Sequence, residues 1–303
     1  MQPSFANARY RDHSTSFALS PADVVATRRL RDEFAQFWSQ TGEDPRAQFD
    51  RFIAATPVAN GVRFREVTDP SAPGVWSEPA GATPNAVILH LHGGSYTKGS
   101  AGAFRGLASQ IAVRTRRAVF TLDYPLAPEA PLPAALNMTA ATVDRLCTTH
   151  DAVGIVGDSA GGGLALAALT HEALPDAIVL FSPWTDLTLS GASMHEPSIH
   201  DPLLAHDRLA ESARAYLGDE AADDPSASPL FDIPRRLPRL LIQVGTDEIL
   251  LDDARRYVAA ARRTGHDVLL EEYEGLHHVF QLNVADLEAS RQALDRAARF
   301  LAP

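Results

Sequence analysis

A serine between two glycines stands where an apolar stretch passes into a helix-like one. The run GDSAG (residues 157–161) follows the apolar residues 153–156 and continues into alanine and leucine. A sharp turn at such a place raises a serine hydroxyl above a sheet, and the helix amino end behind it favours negative charge. We therefore interpret Ser159 as a nucleophile. A phosphate-binding turn is the alternative, but it requires a Lys-Ser/Thr pair or a Gly-x-Gly-x-x-Gly pattern, and this turn has neither.

A pair of glycines follows an earlier predicted strand, at 86–91. The loop after this strand contains Gly93, Gly94 and Ser95. Glycines at a strand end allow backbone N–H groups to point into a cavity. With the N–H of Ala160, they are predicted to form an oxyanion hole for the negative oxygen that develops when a hydroxyl attacks a carbonyl. A plain tight turn is the alternative for the glycines alone, and the occurrence of both motifs favours the functional interpretation.

A nucleophilic serine needs a base, and the base needs an acid that orients it. In strand–helix enzymes with this serine turn, both groups follow the nucleophile in loops after later strands. Asp247 comes shortly after the apolar stretch 240–244, and we predict that it is the acid. His277 and His278 follow the last predicted strand, and spacing alone allows either to be the base. Metal binding by this pair is disfavoured, because adjacent histidines point in different directions and no third ligand is evident nearby.

The elements that must position these residues alternate between strand and helix. Short apolar stretches separated by helical patterns predict a mostly parallel sheet of eight strands with helices on both faces. Predicted strands lie at 61–66, 74–78, 86–91, 118–122, 153–156, 177–181, 240–244 and 268–273.

Two parts of the chain do not follow this alternation. Residues 1–55 show two helical patterns and no obvious strand. Between 181 and 240, several prolines occur and no strong strand pattern is present. A connection of that length inside a domain is usually functional or separately structured. We predict that it rises above the sheet and packs with the N-terminal helices as a cap.

Composition and charge limit the function classes. The net charge of −11 argues against binding to nucleic acid or to an anionic membrane, because both need clustered cations. The first residues lack the apolar core of a secretory signal, and no window approaches a membrane-spanning length of about 18 apolar residues. We expect a cytoplasmic protein whose partner is a small-molecule ester. The sequence leaves the oligomeric state open, a homodimer included.

Together, these motifs resemble those of the hormone-sensitive-lipase family of esterases, including its bacterial members. The resemblance implies an α/β-hydrolase fold with a helical cap, in which 1–55 and an insertion at about 188–235 cover a catalytic domain of 56–303. The family pattern around Gly275–Phe280 selects His278 over His277 as the base. The resemblance rests on HGGSYTKGS (92–100), DYPLAPEAPLPAAL (123–136), GDSAGGGLA (157–165), SPWTDL (182–187), GTDEILLDD (245–253) and YEGLHHVF (273–280).

The chain departs from the family pattern at two positions. Ser95 stands where the family usually has a third glycine, which leaves open which loop N–H groups pair with that of Ala160. Pro125 stands where the family prefers arginine, as in some esterase and lactone-hydrolase relatives.

The sequence therefore predicts a serine carboxylesterase that acts on short-chain acyl esters through an acyl-enzyme, without metal or organic cofactor. The predicted triad is Ser159, Asp247 and His278. A lactone or amide hydrolase on the same fold is one alternative. A small-molecule receptor without catalysis is another, but related receptors lack the catalytic histidine that this chain retains at position 278.

Overall fold

The structure is a computed structural model that describes residues 14–170 and 174–302. In these ranges the chain forms one sheet of nine strands. The strands are β1 (Ser14–Phe17), β2 (Val62–Val67), β3 (Gly74–Pro79), β4 (Ala86–Leu91), β5 (Ala118–Leu122), β6 (Ala152–Asp158), β7 (Ala177–Phe181), β8 (Arg239–Gly245) and β9 (Val268–Tyr273).

The strand order across the sheet is β1-β9-β8-β7-β6-β4-β5-β3-β2. Strand β3 runs antiparallel to both of its neighbours, β2 and β5, and every other neighbouring pair is parallel. The carboxyl ends of parallel strands meet at one edge of a sheet, so the loops after β4, β6, β8 and β9 converge there. All residues predicted to carry chemistry lie in or beside these four loops.

Helices cover both faces of the sheet. Leu89 and Ile155 belong to one cluster of buried apolar residues and Ile88 and Val156 to another, so successive side chains of β4 and β6 are buried on opposite faces. Strands buried on both faces read as continuous apolar runs, which explains why the central strands were visible in the sequence. The helices are α1 (Pro21–Trp38), α2 (Pro45–Ile53), α3 (Arg105–Thr115), α4 (Ala134–Thr149), α5 (Ala160–Ala167), α6 (His206–Leu217), α7 (Leu251–Arg263) and α8 (Glu288–Leu301).

The sequence predicted helices and no strand in the first 55 residues, but the structure contains a strand there. Ser14–Phe17 forms β1, which pairs parallel to β9 at the edge of the sheet and brings the strand count to nine instead of eight. Its first three residues are exposed, so only Phe17, stacked on Tyr273 with ring centroids 4.9 Å apart, carries an apolar signal. A strand of four residues with one apolar side chain lacks the alternation that marks longer strands.

Helix α1 packs against the C-terminal part of the chain. Its residues Leu30 and Phe34 are buried together with Leu276 and Phe280. At its start, the carboxylate of Asp23 accepts hydrogen bonds from the N–H groups of residues 288 and 289 at 2.8 and 2.9 Å, and so caps α8.

Among the helices of the described ranges, none combines the length and the hydropathy that a membrane span requires.

Candidate active site

Ser159 occupies a strained turn between β6 and α5. Its φ and ψ are 53° and −121°, a conformation that non-glycine residues rarely adopt and that persists only when surrounding structure holds it. Its N–H donates to the carbonyl of Phe181 at 2.9 Å, and its own carbonyl accepts from the N–H of Trp184 at 2.9 Å. A Cβ on Gly161 would lie 2.0 Å from the carbonyl oxygen of Leu91, so the close approach of helix and strand requires glycine.

His278 and Glu248 form a buried pair beside this turn. His278 Nδ1 lies 3.0 Å from Glu248 Oε1, and the two residues are 6 % and 0 % exposed. The other carboxylate oxygen of Glu248 accepts the Ser182 hydroxyl at 2.7 Å and the Gly245 N–H at 3.0 Å. With Nδ1 donating to Glu248, Nε2 of His278 is left as the proton acceptor.

Ser182 links the loop that holds the acid to the loop that holds the base. Its hydroxyl donates to Glu248, and the same oxygen accepts the N–H of Val279 at 3.1 Å. Val279 has a left-handed backbone, with a φ of 48°, directly after His278. Because these contacts fix both loops, the orientation of the imidazole is set by backbone as well as side-chain hydrogen bonds. Neither Ser182 nor Glu248 is among the catalytic residues predicted from the sequence.

Asp247 does not meet His278, which corrects its predicted role as the orienting acid. Its carboxylate forms an ion pair with Arg31 of α1 and accepts the N–H of His200 at 2.6 Å. Its side chain is 24 % exposed. In the bend after β8, Glu248 is fully buried, whereas the side chain of Asp247 lies partly exposed at the surface. Glu248 therefore takes the position predicted for Asp247.

His277 lies apart from the His278–Glu248 pair. It is fully buried, its Nε2 lies 2.9 Å from Asn283 Oδ1, and its ring packs edge-on against Phe34 at 5.1 Å. Burial is the main cause that lowers the pKa of His277 to about 4. This residue is thus a neutral core histidine, and of the two neighbours only His278 meets a carboxylate.

Two of the three predicted loop N–H groups are free to form the oxyanion hole. The N–H of Gly93 is not, because it donates to Asp158 Oδ2 at 3.0 Å and so ties the glycine loop to the serine turn. Within the described ranges, the N–H groups of Gly94, Ser95 and Ala160 donate no hydrogen bond. Gly94 and Ser95 have φ values of 122° and 54°, a path that turns the backbone away from ladder pairing.

A cavity of about 310 Å³ contains Ser159 and His278 in its wall. Gly94 and Ser95 also line this cavity. Apolar side chains of the first 55 residues and of the segment between β7 and β8 complete the wall, so both segments predicted to form a cap contact the site. These side chains are Trp38, Phe49, Phe52, Ile53, Pro202, Leu203, Leu204 and Leu209.

The charge balance around His278 favours its protonated form. Burial acts to lower the pKa of His278, but Glu248, by charge and by hydrogen bond, together with Asp201 and Asp158 raises it above the ordinary value. A base with a raised pKa holds a proton more strongly, which suits a group that must first accept a proton from a hydroxyl and then deliver it.

Comparisons with known proteins agree with this geometry. Residues 88–282 match a protein family described by the alpha/beta hydrolase fold. The chain is 38% identical to an acetyl-hydrolase of Streptomyces hygroscopicus over 234 residues, which are 75% of this chain and 78% of that protein. It superposes with a TM-score of 0.86 on an esterase from the bacterial hormone-sensitive lipase family, with 34% identity over 94% of this chain and 98% of that one. An esterase structure soaked with p-nitrophenyl butyrate gives a TM-score of 0.82 and 31% identity, and covers 93% and 98% of the two chains.

Proposed function

Because the chain belongs to the hormone-sensitive-lipase family of α/β-hydrolase carboxylesterases, we propose that it hydrolyses short-chain acyl esters through an acyl-enzyme on Ser159. The observation that carries the proposal is the buried His278–Glu248 pair, whose histidine lines the same cavity as the strained Ser159. Two relatives support the choice of ester, since one is an acetyl-hydrolase and another was soaked with a butyrate ester.

In the acylation half-reaction, His278 Nε2 takes the proton of the Ser159 hydroxyl as its oxygen attacks the ester carbonyl carbon. The carbonyl oxygen becomes negative and accepts hydrogen bonds from the free N–H groups of the glycine loop and of Ala160. The imidazolium of His278, stabilised by the carboxylate of Glu248, gives its proton to the leaving alcohol. The carbonyl double bond re-forms and leaves an ester between the acyl group and Ser159.

Deacylation repeats these steps with water. His278 removes a proton from the water molecule, and the resulting oxygen attacks the acyl carbon while the same N–H groups hold the negative oxygen. The proton then passes from His278 to the Ser159 oxygen, which releases the carboxylic acid and restores the enzyme. No step requires a group from outside the chain other than ester and water.

The size of the cavity predicts the preferred acyl length. About 310 Å³ is at the small end of the range for ligand pockets, and its wall includes apolar side chains of α1, α2 and the segment before α6. Across p-nitrophenyl esters, acetate to hexanoate should give the highest kcat/KM, with a steep fall beyond, since each methylene left in water forfeits about 0.8 kcal/mol. The leaving group is constant in this series, so only the acyl chain varies. Preference for the palmitate ester would contradict the proposal.

The raised pKa of His278 predicts the pH dependence. Only the neutral imidazole accepts a proton, so kcat/KM rises as the pH passes the pKa of this group. The acid limb should therefore have its midpoint above the ordinary histidine value of 6.5, and Glu248→Gln should move it to lower pH because the main cause of the increase is removed. A limb near pH 4 would instead match His277, whose pKa is about 4. Initial rates on p-nitrophenyl butyrate, with each pH corrected for phenolate ionisation, give the profile.

A further inference from the structure

Two cationic side chains, Lys98 and Arg208, lie in the wall of the cavity that contains Ser159. Lys98 comes from the loop that follows the oxyanion glycines, and Arg208 comes from the first turn of α6. In the described part of the chain neither forms an ion pair, and the one hydrogen bond of the Lys98 ammonium is a long contact of 3.5 Å with the Thr97 hydroxyl. Arg208 is exposed and Lys98 is partly buried, so it is the lysine whose lack of an ionic partner calls for an explanation.

The surroundings of Lys98 make an unpaired cation costly. Burial is the largest cause that lowers its pKa, and the like charges of Arg208 and Arg46 lower it further, while Glu211 acts in the opposite direction. Arg46 forms an ion pair with Glu129 at 2.6 Å, so of these three cations Lys98 and Arg208 are the unpaired ones among the described residues, and Glu211 forms no ion pair with either. An anion between two such cations would relieve both the repulsion and the lack of a partner.

The amino end of α6 adds to the positive character of this wall. Ala205 is the first flanking residue of this 12-residue helix and offers no side-chain oxygen to its free N–H groups. Residues 204, 205, 208 and 209 all line the cavity, so the end of the helix that attracts negative charge lies at its wall.

Among the described residues, the carboxylates of the cavity form no ion pair with these cations. Asp201 also lines the wall, but its oxygens accept the backbone N–H groups of Leu203, Leu204 and Ile249 at 2.9, 2.9 and 3.0 Å. Asp158 is held in the same way by His90 at 3.1 Å and by the N–H of Gly93. Lys98 and Arg208 therefore have no ion-pair partner among the described residues on the wall of this cavity.

We propose that the preferred ester carries a carboxylate at the end remote from its scissile carbonyl, and that Lys98 and Arg208 bind this carboxylate while Ser159 attacks the ester. The inference rests on the proposed esterase function and specifies the substrate class of the same site. A lysine and an arginine together provide a point charge and a planar fork, both suited to a carboxylate. The charge lies on the acyl or on the alcohol portion, and the two are distinguished by experiment.

The test compares anionic esters with uncharged esters of the same shape. On the acyl side, monoethyl adipate is compared with ethyl 6-methylheptanoate. On the alcohol side, 5-(butanoyloxy)pentanoate is compared with 5-methylhexyl butanoate. In each pair an isopropyl group replaces the carboxylate.

The release of acid from each ester is followed by pH-stat. In one pair, kcat/KM for the anionic ester should exceed that for its neutral counterpart by about tenfold or more, as expected for a charge-assisted contact. Equal or lower values for both anionic esters would overturn the proposal.

Variants connect the preference to the two cations. Lys98→Met and Arg208→Met should each reduce the anionic-to-neutral ratio by about tenfold, mainly through KM, whereas Arg208→Lys should retain most of the preference. Arg214→Met is the matched control, because Arg214 lies on the same helix but does not line the cavity, and its ratio should equal that of the wild type. A wild-type ratio in both methionine variants, with native circular dichroism, would also overturn the proposal.

Failure of this inference is distinct from failure of the proposed function. If p-nitrophenyl butyrate is hydrolysed and neither anionic ester is preferred, the esterase function stands and the anion site is wrong. If no ester of any kind is hydrolysed by the folded protein, the proposed function itself fails.

Discussion

Glu248→Gln should lower kcat by about 10⁴-fold, because an amide neither stabilises the imidazolium of His278 nor holds the ring in the tautomer that leaves Nε2 free. Glutamine keeps the size of the side chain, so the change tests the charge and not the packing. The carboxylate of Glu248 is 3.0 Å from His278 Nδ1 and is also fixed by Ser182 and Gly245, and among the described residues no other carboxylate forms a hydrogen bond with His278.

Asp247→Asn is the matched control for this variant. It makes the same chemical change one residue earlier in the same loop, but Asp247 contacts Arg31 and the backbone of residue 200 instead of His278. Its kcat should stay within about tenfold of the wild type, as expected when a partly exposed ion pair is lost. The measurement is kcat at saturating p-nitrophenyl butyrate, with folding checked by circular dichroism. If Asp247→Asn is the inactive variant and Glu248→Gln is active, the placement of the acid is wrong.

Ser159→Ala should lower kcat by about 10⁶-fold, since no acyl-enzyme can form and only the oxyanion hole and binding remain. Alanine removes one oxygen from a residue that is 5 % exposed, so the loss of activity should occur without loss of folding. When deacylation is slower than acylation, rapid-mixing kinetics show a burst of p-nitrophenol from the wild type. The Ser159→Ala variant should show no burst.

A second serine in the same cavity gives the control for this prediction. The side chain of Ser212, on α6, lines the cavity that contains Ser159. Ser212→Ala should retain most of the turnover, because this serine lies within α6 and not on the strained turn between β6 and α5. Substantial burst activity in Ser159→Ala, or its loss in Ser212→Ala, would show that the nucleophile has been assigned to the wrong residue.

Much of the fold could be predicted because its central strands are buried on both faces. The stretches around Leu89, Ile155 and Val179 are continuously apolar for that reason, and the helices between them follow from the alternation. Strand β1 could not be found in this way. Three of its four residues are exposed, and it pairs with β9 along an edge, where backbone hydrogen bonds carry the pairing and side chains give little signal.

The nucleophile and the base follow from local motifs, but the acid depends on the path of one loop. Asp247 and Glu248 are adjacent carboxylates after the same strand, and their order along the chain does not reveal which one points inward. The choice is fixed by distant partners, since Arg31 attracts Asp247 from α1, whereas Ser182 binds Glu248 from the loop after β7. Likewise, the hydrogen bond from the Gly93 N–H to the Asp158 carboxylate joins residues that are 65 positions apart in the sequence.

The most direct test of the account is covalent labelling of the native protein with a fluorophosphonate, followed by peptide mass spectrometry. The reagent reacts with a serine only where a base removes its proton and N–H donors hold the phosphoryl oxygen, so it reports on the assembled site. The account predicts one adduct per chain, on Ser159, much slower labelling in Glu248→Gln, and labelling at a rate close to that of the wild type in Asp247→Asn. An adduct on another serine, or no adduct on the folded wild type, would contradict it.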